Sequence, residues 1–224
     1  MLYIHAMQVA VYSIHKFEKK YIEQYCRDHT LRLLEVRLTL ETVGLAQGCD
    51  AVSIFVNDDA SAPVLRELKE TGIRFVALRS AAFNHVDLKE ANMLGLRLAR
   101  VPDYSPAAIA EHTVALMLLL NRKLIKAHSR IRDSNFSLDG LTGFDMNGKT
   151  VGIVGTGKIG RVVTRIIHGF NCKILAYDPY ENEELKTKYN VEYTDFLTLC
   201  RESDIITLHL PLTAESKYII NEES

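Results

Sequence analysis

The run Gly155-Thr156-Gly157-Lys158-Ile159-Gly160 puts glycines at its first, third and sixth positions, and an aspartate, Asp178, closes the apolar stretch that follows. Glycines at that spacing are a weak signal alone, because turns collect glycine for many reasons. Their setting gives them chemical meaning. A β-rich run ends at Val154, a helical pattern opens at the glycines, and a second β-rich run reaches Tyr177. In such a strand-turn-helix, Gly155 permits the tight turn, Gly157 lets the backbone approach a diphosphate, and Gly160 lets the helix lie close on its strand. The amides and positive dipole end of the helix start attract phosphates. A carboxylate at the tip of the second strand accepts ribose hydroxyls and repels a 2′-phosphate, and Pro179 and Tyr180 supply no arginine to offset that repulsion. These residues predict a dinucleotide site with NAD, not NADP, as the cofactor. The alternative is a glycine turn with no ligand.

The surrounding sequence supplies elements to position them. Residues 9–12, 32–37, 51–56, 74–78 and 96–101 read as strands. Residues 16–26, with Phe17, Tyr21, Ile22 and Tyr25 on one face, residues 63–69, with Pro63 in the first turn, and residues 86–94 read as helices between them. Short apolar strands alternating with helices imply a parallel sheet covered on both faces. Pro102 and Pro106 then break the pattern, and Ser105 is placed to cap one long helix over residues 106–132 that connects two domains. Residues 135–149, with three glycines among polar residues, read as a loop. A second alternation follows: strand 150–154, helix 159–170, strand 173–177, helix 195–202 and strand 204–208.

With 47% hydrophobic and 25% charged residues, the 224-residue chain has enough apolar material for one or two globular domains. A formal net charge of −1 gives no broad attraction for nucleic acid or an anionic membrane. Cys26, Cys49, Cys172 and Cys200 lack the paired spacing of a zinc site or disulfide framework, so no metal is expected and free thiols in a reducing cytoplasm are. Residues 1–6 show no secretory signal pattern, and Met7 is a candidate start. The apolar window 114–120 is too short and too closely flanked by charge to cross a bilayer.

Several motifs, in order, resemble the D-2-hydroxyacid dehydrogenases, and within them the bacterial fermentative D-lactate dehydrogenases. Beyond the glycine run they are Ile54-Phe55-Val56-Asn57-Asp58-Asp59, Ala77-Leu78-Arg79, Val101-Pro102-Asp103-Tyr104-Ser105-Pro106 with Ala110-Glu111-His112, Gly140-Leu141-Thr142-Gly143-Phe144, Tyr177-Asp178-Pro179-Tyr180, and Ser203-Asp204 through Thr213. The likeness runs from Met7 to Ser224. It implies an α/β protein: a flavodoxin-like substrate domain in residues 7–103, then a doubly wound Rossmann NAD-binding domain in residues 104–224, both partial. It also implies interconversion of pyruvate and D-lactate, or a similar 2-keto acid and D-2-hydroxy acid, by hydride transfer, in a homo-oligomer when full length.

By the same resemblance Arg79, Ala82, Phe83 and Tyr104 are substrate-binding positions. Arg79 otherwise reads as an ion pair at a strand end, and Tyr104 as a half-buried hinge residue. Lys158, Ile159, His209, Leu210, Pro211 and Ser216 join Gly155, Thr156, Gly157, Gly160 and Asp178 on the cofactor side; ordinary strand-end roles are the alternative for His209, Leu210 and Pro211. Ala82 stands where the family usually has glycine, so its Cβ could hinder approach of a substrate carboxylate. His85 stands where an Asn is usual, and the family's base lies elsewhere. Ser216 stands where the lactate subgroup often has Asn. The family's catalytic Arg, Glu and His are expected beyond Ser224, which leaves the 224-residue chain with no catalytic residue, inactive and with an open sheet edge. Another D-2-hydroxy acid as substrate, or an NAD-binding regulator of the co-repressor kind, are the competing readings.

Overall fold

The computed structural model describes residues 6–224, which divide into two compact units, one ending at Tyr104 and the other beginning at Ser105. The expectation that no leader is present rests on residues outside the described ones for positions 1–5.

The first unit alternates strands and helices: β1 (Gln8–Val11), α1 (Lys16–Tyr25), β2 (Thr30–Leu33), a 3-10 turn (Val43–Ala46), β3 (Ala51–Ile54), α2 (Ala62–Glu70), β4 (Phe75–Leu78), α3 (Leu88–Met93) and β5 (Arg97–Arg100). All neighbours pair in parallel, in the order β2-β1-β3-β4-β5. This is the flavodoxin-like order, whose direction reverses between β1 and β3. Strands buried on both faces need apolar side chains on both, and Ala10, Val52, Ile54, Val76 and Leu78 are buried with Val64, Leu65 and Leu68 of α2. Each large aliphatic residue so buried contributes about 1.5–3 kcal/mol.

Three details differ from the sequence pattern. Ser13 takes a φ of 49° and turns the chain out of β1, so the ladder to β2 stops at Val11 and Leu33 and the second strand is Thr30–Leu33, not 32–37. Beyond Ile54 the chain turns inward, where the Phe55 amide donates to Asp58 Oδ2 at 2.6 Å, which ends β3 two residues early. The aromatic face of α1 is not buried: Phe17, Tyr21 and Tyr25 are all exposed.

The second unit holds α4 (Pro106–Asn121), α5 (Leu124–Arg132), β6 (Thr150–Val154), α6 (Lys158–His168), β7 (Lys173–Tyr177), α7 (Glu183–Tyr189), β8 (Glu192–Tyr193), α8 (Phe196–Glu202) and β9 (Ile205–Leu208). Its sheet is parallel in the order β8-β7-β6-β9, half of a doubly wound sheet. Val151, Ile153, Val163, Ile167 and Ile174 form its core with Ala110 and Val114 of α4. The edge strand β9 carries Ile206 and Leu208 exposed.

The expected single helix over 106–132 is two helices, broken where Lys123 adopts a left-handed φ of 53°. The cause is tertiary. Asn121 pairs with the backbone of Phe144, donating Nδ2–H to its carbonyl at 2.8 Å and accepting its amide at 2.9 Å, so the loop locks onto the helix end. Helix α7 and strand β8 lie outside the elements that the sequence pattern predicts.

The most buried charge in the first unit is Asp58, 2% exposed. Its carboxylate accepts from Ser13 Oγ (2.6 Å), the Leu38 amide (2.9 Å) and the Phe55 amide (2.6 Å), tying the ends of β1 and β3 together. Asp58→Ala leaves three inward donors without an acceptor and is expected to lower the unfolding free energy by about 3 kcal/mol. Urea denaturation followed by circular dichroism measures it; an unchanged midpoint would contradict this role.

Candidate dinucleotide site

The site begins where β6 ends. The Gly155 amide donates to the Tyr177 carbonyl at 2.9 Å, and the residue takes a φ of 94°, a conformation side chains resist. A Cβ there would lie 2.5 Å from the His209 carbonyl oxygen. Gly160 faces an even closer approach, since its Cβ would lie 2.0 Å from the Gly155 carbonyl oxygen. The first turn of α6 is thereby pressed against the tip of β6. Gly157 differs: it is the N-cap residue of α6, and a Cβ there would meet nothing within 4 Å. Packing demands glycine at 155 and 160, whereas at 157 glycine keeps open the approach to a helix start that no side chain caps. That combination fits a phosphate-bearing ligand.

Thr156 is buried, and it joins the glycine turn to the tip of β7. Its amide donates to Asp178 Oδ2 at 2.7 Å and its hydroxyl to the same oxygen at 3.1 Å. Asp178 Oδ1 accepts the Tyr180 amide at 2.9 Å. The two features singled out in the sequence, turn and acid, are therefore in direct contact.

Lys158 is exposed on the first turn of α6, and Ile159 packs against the core. His209 extends β9 beside the turn, its amide donating to the Val154 carbonyl at 2.7 Å. Its Nε2 lies 2.9 Å from Thr207 Oγ1, and burial pushes its imidazole below the ordinary histidine range. Leu210 packs against the cluster of Val154, Leu175 and Leu199, and Pro211 is exposed. Ser216 Oγ donates to the Pro211 carbonyl at 2.6 Å and accepts the Thr213 amide at 2.7 Å, so its hydroxyl is used inside its own turn.

In the first unit, Arg79 leaves the end of β4 and reaches the reversal between β1 and β3. Its Nη2 donates to the Tyr12 and Ser13 carbonyls at 2.8 and 3.1 Å, and its Nη1 to Ser53 Oγ at 3.2 Å. Nε and Nη2 grip Glu18 at 3.1 and 3.2 Å, both side chains being 14% exposed. Each guanidinium nitrogen thus has an internal acceptor, and the charged one is Glu18. No sequence pattern marks Glu18, whose partner is 61 residues away.

Phe83 stacks under Arg100, whose guanidinium carbon is 5.3 Å from the ring centre, beside an apolar hollow of about 230 Å³ lined also by Leu78, Leu88 and Leu98. Ala82 is exposed, and the left-handed backbone region that would have required glycine does not include it. Tyr104 is exposed. His85 is half-buried, with Nε2 enclosed and unpartnered; burial lowers its affinity for a proton and Asp58 partly opposes this. The titratable neighbour acting on it is the buried Asp58 carboxylate. Among the described residues no cluster of His, Cys, Asp and Glu could hold a metal ion.

Two substitutions separate packing from ligand approach: Gly160→Ala should destabilise the second unit by about 3 kcal/mol through overpacking, whereas Gly157→Ala should melt as the wild type does in a calorimetric scan. Glu18→Ala strands a largely buried guanidinium and should cost about 3 kcal/mol in chemical denaturation; a loss near zero would show the pair to be solvated.

Residues 114–224 match the family model described as "D-isomer specific 2-hydroxyacid dehydrogenase, NAD binding domain". The chain is 50% identical over 218 residues to the D-lactate dehydrogenase of Escherichia coli K12, covering 96% of this chain and 66% of that protein. It therefore spans just under two thirds of that relative's length. The apo structure of the Escherichia coli enzyme superposes with a TM-score of 0.88 at 50% identity, over 96% of this chain and 68% of that one. The Aquifex aeolicus D-lactate dehydrogenase, solved with NAD and lactic acid, gives 0.84 at 30% identity over 96% and 64%. The glycine turn with its facing aspartate and this likeness along nearly the whole chain agree: the protein belongs to the D-isomer-specific 2-hydroxyacid dehydrogenases and carries their NAD-binding domain.

Proposed function

We propose that this chain supplies the cofactor cradle and much of the substrate domain of an NAD-dependent oxidoreductase interconverting pyruvate and D-lactate. The observation that carries the proposal is the contact between the Thr156 amide and hydroxyl and the Asp178 carboxylate, which sets a ribose-binding acid against a diphosphate-binding turn. Bound there, the dinucleotide supplies the hydride for reducing a 2-keto acid. The protein's share is to hold it. Amides opening α6 face the diphosphate, Gly157 leaves room for it, and Asp178 accepts a ribose hydroxyl while its charge repels a 2′-phosphate.

Residues 7–103 serve as the substrate domain and residues 104–224 as the cofactor domain. Gly155, Thr156, Gly157, Lys158, Ile159, Gly160, Asp178, His209, Leu210, Pro211 and Ser216 line the cofactor side, while Arg79, Ala82, Phe83 and Tyr104 belong to the substrate side. Arg79 reaches a carboxylate only through exchange with Glu18 or through the remaining hydrogen of Nη1.

The substrate is a small acid, and the relatives' names support lactate over a larger D-2-hydroxy acid. Self-association through the second unit is supported by Leu116, Leu120, Leu124, Ile125, Phe136 and Leu138, all exposed. Four free thiols support a reducing, cytoplasmic setting. No helix of the described residues is long and apolar enough to cross a membrane.

Calorimetric titration with NAD and NADP tests the cofactor assignment. The wild type should bind NAD in preference, and Asp178→Ala combined with Pro179→Arg should shift the ratio towards NADP by about tenfold or more, equivalent to at least one lost charge-assisted contact. Production of D-lactate from pyruvate and NADH by the longest natural polypeptide containing this chain tests the reaction; L-lactate, or none, refutes it.

A further inference from the structure

The buried polar side chain of the glycine turn is that of Thr156, and its hydroxyl stands in a chain of donors that runs one way. The Asn182 amide donates to the Tyr193 hydroxyl at 3.0 Å, Tyr193 donates to Thr156 Oγ1 at 3.0 Å, and Thr156 Oγ1 donates to Asp178 Oδ2 at 3.1 Å. The direction is set at both ends. An amide N–H can only donate and an ionised carboxylate can only accept, so each hydroxyl between them must receive from one side and give to the other. Links of this kind polarise one another in a site partly shielded from water.

We propose that Tyr193 is a positioning residue for the cofactor's adenosine ribose, acting through Thr156 to fix the Asp178 carboxylate before the ligand arrives. The inference rests on the cofactor reading proposed above. A carboxylate offers about four lone-pair positions. Thr156 takes two at Oδ2 with its amide and hydroxyl, and the Tyr180 amide takes one at Oδ1. The position left at Oδ1 accepts one ribose hydroxyl, in a direction set by the other three donors. Without the Tyr193 proton, the Thr156 hydroxyl is free to rotate off Oδ2, and the carboxylate then has more than one orientation to lose when a ribose binds.

Tyr193 suits this task because it is held independently of the turn. It lies on β8, where its register partner is Ala176 of β7, and the Lys186 ammonium sits 5.6 Å from its ring centre. A phenylalanine keeps the ring, its packing and that cation contact, and removes only the hydroxyl.

The test titrates the 224-residue chain with NAD, then with the matched probes ADP and 2′,3′-dideoxy-ADP, which differ only in the ribose hydroxyls. Tyr193→Phe should weaken ADP about tenfold, the scale of one hydrogen bond to a charged group, and leave the dideoxy probe unchanged. Thr156→Val breaks the next link and should show the same selective loss, with the double variant losing little beyond either single one. If the wild type fails to bind NAD, the cofactor reading itself is overturned. If the wild type binds NAD and prefers ADP to its dideoxy form, but Tyr193→Phe does so equally, the inference alone fails. An equal loss on both probes marks a merely structural role and also overturns it.

Discussion

The carbonyl of Gly155 stands only 2.0 Å from where a side-chain carbon on residue 160 would be, and the second unit is arranged around that contact. Such an approach brings the start of α6 hard against the tip of β6. With the helix there, Thr156 is forced inward and its polar atoms need partners. Asp178 provides them from the neighbouring strand. The same geometry thus satisfies a buried threonine and places an acid beside exposed helix amides. Structural need and ligand chemistry share one set of atoms.

The carboxyl edge of the first sheet is organised the other way. There the protein fills its own polar demands: Ser13 sends its hydroxyl to Asp58 and its carbonyl to Arg79, and Arg79 is matched by Glu18. Glu18 also accepts the His15 amide at the start of α1, so one side chain both caps that helix and neutralises the arginine. Charges this sheltered are stable only when paired and hydrogen-bonded. The result is a stiff edge at the reversal between β1 and β3, in contrast to the opening kept at Gly157.

The sequence made legible whatever is governed by local pattern. Strands 150–154 and 173–177 are legible to the residue, because an apolar run, a glycine turn and a terminal aspartate bound them. The parallel α/β architecture followed from alternation alone. Features set by distant partners were not legible. The break at Lys123 depends on Asn121 meeting Phe144, and α7 is a short polar helix whose single buried residue, Leu185, gives little periodicity. Glu18 and Tyr193 matter through partners 61 and 37 residues away, and no spacing rule connects them. The motif marks the glycine positions and Asp178, but not that Thr156 joins the turn to the acid.

Strand β6 is the first of its sheet in the chain and lies in its interior, with β7 on one side and β9 on the other. During synthesis, β7 and β8 complete one flank while the other waits for residues 205–208. Until these emerge from the ribosome, the Val151–Val154 run presents a bare hydrogen-bonding rim that any extended neighbour can join. A chain caught before residues 205–208 pair carries that rim as a site for intermolecular strand addition.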